Sequence, residues 1–155
     1  MLNALGMQEF QVYALLFLLG ASTVKSLIDT KNWGNRRYLP ELWYVFPPIF
    51  LIHDLIVRPD TPLLLGVKWG LVVLLVVFYY FKEIRPVPTE DYFSLIALLS
   101  VLNPILASIS LAIYLACLFL LRKKLRYRFP HHTKEIPTMQ FIVMAGGISL
   151  LLLLF

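Results

Sequence analysis

The chain has 155 residues, of which 59% are apolar and 15% charged, and its mean hydropathy is +0.77. A soluble domain carries charge on about a quarter of its residues, so this composition excludes a soluble enzyme and a disordered protein. A single cysteine, Cys117, excludes a disulfide-framed secreted scaffold.

The apolar residues fall in runs sized for a bilayer. Positions 63–81 are 19 residues broken by one Lys, and 92–121 are 30 residues without a formal charge. About 20 apolar residues match a hydrocarbon core roughly 30 Å thick. Only helices and closed barrels satisfy every backbone polar group there. Strict alternation is absent, so the prediction is an all-α integral membrane protein, a single membrane domain over 1–155.

In chain order, the first span is expected at about 10–28, with Lys25 near its end. No Lys or Arg precedes Lys25, so the N-terminus does not read as a cleaved signal peptide with a basic n-region. The second span is expected at 41–57, kinked or started late by Pro47 and Pro48, and the third at 63–81. As one helix, 92–121 would be about 45 Å long, and Asn103-Pro104 sits inside it. The residue before a proline is pushed out of the helical region, so the run divides into spans at 91–102 and 104–121. The sixth span, 136–155, is entered through Pro137, which suits a first helical turn.

Charge placement tests the division. With six transmembrane helices, twelve of the 14 Lys and Arg residues fall on one side. They are Lys25, Lys31, Arg36, Arg37, Lys82, Arg85, Arg122, Lys123, Lys124, Arg126, Arg128 and Lys134. Positive-inside bias then puts those loops in the cytoplasm and both termini outside. The net charge of +5 follows from this topology, and no nucleic-acid partner is expected. The expected location is the cell membrane, crossed several times.

Nine acidic residues are few enough to weigh singly. Glu9, Asp60 and Glu135 sit at span ends, and Glu41 and Glu83 are flanked by basic residues; all five read as surface ions. Asp54, beside His53, is expected to pair with Arg58 at the helical (i, i+4) spacing. Asp29 ends the first span and Asp91 opens the fourth, 62 residues apart in sequence yet both at the cytoplasmic boundary. Ionisable groups at that depth are costly and suggest function. Two carboxylates facing each other across a dry site share a proton, one serving as base and the other as acid. Such a pair hydrolyses a peptide without a metal or a covalent intermediate. The plainer alternative is that each Asp marks a helix end, Asp91 stabilising an N-terminus through the helix dipole.

Three stretches resemble the archaeal type IV prepilin and preflagellin peptidases, six-span membrane aspartic proteases. Residues 21–31 (ASTVKSLIDTK) look like the end of that family's first helix, where a catalytic Asp precedes a basic residue. Residues 88–99 (PTEDYFSLIALL) stand where the family has Gly-x-Gly-Asp leading into an apolar helix. Residues 134–141 (KEIPTMQF) are similar to its Ile-Pro entry into the last helix. Pro88 and Glu90 replace both glycines, which removes their backbone freedom and alters the loop that presents Asp91. Glu90 is an alternative second acid. The resemblance implies cleavage of class III signal peptides on archaellin and pilin precursors, with Asp29 and Asp91 catalytic. Its partners are then the bilayer and precursor proteins carrying a basic leader before an apolar helix. The rival is a non-catalytic member that keeps the scaffold, or a membrane assembly or transport subunit.

The remaining features carry less. The basic run 122–128 fixes orientation. His131 and His132 are adjacent, a poor spacing for two ligands, and neither a metal nor a cofactor is expected. Gly66-x-x-x-Gly70 and Gly146-Gly147 suggest close helix packing within the protein. Lys68 lies alone within the third span, either snorkelling outward or facing a cavity.

Overall fold

A computed structural model describes residues 9–31, 40–57, 61–80, 89–128 and 138–154. Six helices fill them: α1 Glu9–Lys31, α2 Pro40–Val57, α3 Pro62–Tyr80, α4 Thr89–Val101, α5 Pro104–Arg128 and α6 Met139–Leu154. No strand occurs among the described residues, whose regular structure is all helix.

Local chemistry sets the helix ends. Prolines open α2, α3 and α5, since a first-turn position has no intrahelical partner for the missing N–H. The break between α4 and α5 falls at Asn103-Pro104. There Asn103 Oδ1 accepts the Leu106 amide at 2.8 Å and its carbonyl accepts that of Ala107 at 2.8 Å. That is an N-cap. Thr138 does the equivalent for α6, its carbonyl accepting the amides of Phe141 and Ile142. α2 starts at Pro40 rather than late, and Pro47 and Pro48 lie inside it.

Two helices, over Glu9–Leu27 and Pro62–Tyr80, are long and apolar enough to cross a bilayer; the apolar stretches of the other four are shorter. α4 has 13 residues, about 20 Å of helix. It touches each of the other five helices, and from Asp91 to Val101 only Phe93 is as much as partly exposed. α6 reaches α4 and α1 by way of Gly146, where a Cβ would collide with Leu19 Cδ2 and stand 3.2 Å from Leu98 Cδ1. Gly147, Gly66 and Gly70 differ. A Cβ at any of them meets nothing within 4 Å, so the expected internal packing of Gly66 and Gly70 is not found.

Along α1 the buried positions are Gln11, Leu15, Leu18, Leu19, Ser22 and Lys25. With Leu19 beside Leu18, the steps of four and three residues through 11, 15, 18, 22 and 25 make one stripe of a helix. The next position in that register is 29.

Candidate functional site

Two buried clusters of charge occupy opposite ends of the helix bundle. At one end, Asp91 lies in the first turn of α4, buried, with both carboxylate oxygens engaged. Lys25 Nζ of α1 donates to Oδ1 at 2.9 Å. The Thr138 backbone amide, at the head of α6, donates to Oδ2 at 2.8 Å, with Thr138 Oγ1 further off at 3.4 Å. Tyr114 of α5 donates its hydroxyl to Thr138 Oγ1 at 3.1 Å. All four residues are buried.

The positions follow from helix ends. The first amides of a helix have no intrahelical acceptor, and a carboxylate is the favoured anion beside them. Asp91 stands near such a terminus on its own helix and takes an amide from the terminus of α6. Lys25 completes the arrangement with a charge-assisted bond, among the stronger kinds.

Position 29 lies on α1 four residues after Lys25, one turn and about 6 Å of rise further along. Its side chain lies outside the described residues, as do the Glu90 side chain and Pro88. Lys25 was the member not anticipated. From sequence it belongs with the loop charges, whereas here it is 6% exposed and turned into the bundle. The available signal was its spacing, four residues before Asp29 and on the same face.

At the other end, Asp54 of α2 takes Lys68 Nζ at 2.6 Å and Trp69 Nε1 at 3.0 Å on Oδ2, both from α3. His53 Nδ1 is 3.3 Å from Oδ1. The Lys68 ammonium also lies 5.2 Å from the Trp69 ring centroid, within cation–π range. Asp54 thus pairs between helices; its expected partner Arg58 lies outside the described residues. Lys68 does not snorkel, being 1% exposed. A carboxylate on the neighbouring helix is a better partner for a buried ammonium than a distant interface. His53 packs against Phe10 at the start of α1. The two clusters are thus separated by the 15 residues from Phe10 to Lys25, about 22 Å along the axis.

Comparison with family models, curated proteins and solved structures finds no match. Fold and site together define a class: a helical bundle that, among the described residues, has two helices fit to span a bilayer and two buried Lys–Asp pairs.

Proposed function

We propose that the chain is a six-span membrane aspartic endopeptidase cleaving precursors with a basic leader and an apolar helix, and that Asp29 and Asp91 carry the reaction. The observation that supports this best is convergence on Asp91. The three stretches resembling prepilin peptidases are far apart in sequence, and one residue from each meets at this carboxylate: Lys25, Asp91 itself and Thr138. Lys25 stands one turn from Asp29 on the same stripe, so the register favours a short separation between positions 29 and 91. Exposed apolar side chains on the helices with shorter apolar stretches, such as Ile56 of α2, Phe119 and Leu120 of α5 and Leu151 of α6, support their contact with lipid.

In this reaction one carboxylate takes a proton from water as its oxygen attacks the scissile carbonyl carbon. The other donates a proton to the amide nitrogen as the C–N bond breaks, releasing an acid and an amine. Acid and base are properties of the coupled pair. Thr138 and Lys25 position Asp91 for it.

A second reading has its own support. Both Asp91 oxygens are occupied by the chain itself, and Pro88 and Glu90 stand in place of glycines, as in a scaffold without catalysis. Cleavage of synthetic precursors by the purified protein in lipid nanodiscs separates the two. The peptidase predicts processing by the parent and none by Asp29→Asn or Asp91→Asn. An inert parent, or active Asn variants that remain folded, rejects it.

A further inference from the structure

Ser22 lies on the buried stripe of α1, one turn before Lys25. It is fully buried, and among the described residues its Oγ has no hydrogen-bond partner. Its neighbour Thr23 turns its hydroxyl back onto the Leu19 carbonyl at 2.7 Å, a common outlet for a hydroxyl within a helix. The buried hydroxyls of Ser100, Ser110, Thr138 and Ser149 are all engaged as well. A buried polar atom without a partner destabilises the fold. Alanine would avoid that cost, which leaves the hydroxyl available to a guest group.

The register indicates which guest. Positions 22, 25 and 29 follow one another on the stripe. Ser22 is about 4.5 Å from Lys25 along the axis and about 10 Å from position 29. On the peptidase reading, on which this inference rests, the basic leader lies at the 29 end and the precursor's apolar helix runs toward Ser22. Residues next to the scissile bond must leave the helical form to expose a carbonyl to attack. Their backbone N–H and C=O groups then need new partners in a dry site. An extended chain advances about 3.3 Å per residue, so Ser22 is level with the first three residues after the scissile bond. We propose that Ser22 is a substrate-positioning residue whose hydroxyl receives one backbone amide group of that segment.

The test uses the full chain in nanodiscs, with synthetic precursor peptides in which each of those three amides is replaced in turn by an ester. Ser22→Ala melts at or above the parent temperature, because no bond within the fold is lost, while kcat/KM falls about tenfold, the scale of one hydrogen bond. Ser22→Thr, which keeps the hydroxyl, restores cleavage. One of the three esters slows the parent about tenfold and slows Ser22→Ala no further. Parent-like cleavage by Ser22→Ala overturns the proposal, as do esters that slow both proteins equally at all three positions. Should the parent cleave no precursor, the peptidase reading falls first. Photo-crosslinked capture of the intact peptides then decides on Ser22: equal capture by parent and Ser22→Ala overturns its role, and weaker capture by Ser22→Ala alone upholds it.

Discussion

Each oxygen of Asp91 belongs to a different neighbour, Lys25 of α1 on one and the Thr138 amide on the other. Removing one partner of a buried ion pair strands the other, at a cost of about 3–5 kcal/mol, whereas an apolar pair of similar volume is often tolerated. Lys25→Met and Asp91→Leu should therefore each lower the melting temperature in detergent. The double variant should regain most of that loss without regaining cleavage. A double variant that melts no higher than the singles would show that the two side chains are not coupled. The same design at the other end, Lys68→Met with Asp54→Leu, should give the same pattern in melting but leave cleavage close to the parent's, since that pair lies remote from Asp91. Residue scale is also where sequence reasoning was weakest. Asp91 was legible because a carboxylate next to an apolar run is rare. Lys25 was not, because its partner lies 66 residues away and a lysine at a span edge already has a sufficient explanation in topology. Asp54 shows the same limit. The local (i, i+4) rule offers Arg58, but Lys68, buried within the bundle, has the greater need of a counter-ion.

Among the elements, α4 and α6 make opposite demands on glycine and proline. Asn103-Pro104 ends one helix and starts the next with an N-cap and a first-turn proline, and the sequence showed this plainly because both effects are local. Gly146 and Gly147 look equivalent in sequence and are not. A side chain at 146 enters the space of Leu19 and Leu98, and one at 147 meets open space. Gly146→Val should destabilise by about 1–3 kcal/mol, the usual cost of overpacking, and separate α6 from α1 and α4. Gly147→Val should change melting by less than about 0.5 kcal/mol, as other unpacked sites do. Equal effects of the two changes would contradict the packing seen here. Which glycine faces inward depends on helix rotation, and α6 is apolar almost all round, so periodicity could not choose.

For the whole molecule, the prediction is one of sidedness. Six spans with both termini outside put positions 36, 85 and 126 in the cytoplasm and position 59 outside. In a Cys117→Ser background, single cysteines at 36, 85 and 126 should react with an impermeant maleimide only in inverted vesicles, and a cysteine at 59 only in right-side-out vesicles. Labelling of 36 and 85 from opposite faces would separate the two proposed catalytic positions and remove the basis for the peptidase. Helix number was legible from run length and proline placement. What the bundle does with α4 was not, since hydropathy weighs a run without revealing whether lipid or protein surrounds it.

That enclosure bears on how the protein is made. Helix α4 is too short to hold a place in the bilayer by itself, and every face of it is claimed by a neighbour. It has to wait for them. Its last partner, α6, leaves the ribosome after the other five helices, and it brings the amide that closes on Asp91. The site thus comes into being only once α6 has been made. On the six-span reading, a nascent chain halted before residue 136 should hold its earlier helices in the membrane, with Asp91 still uncovered and the fragment open to quality-control proteolysis.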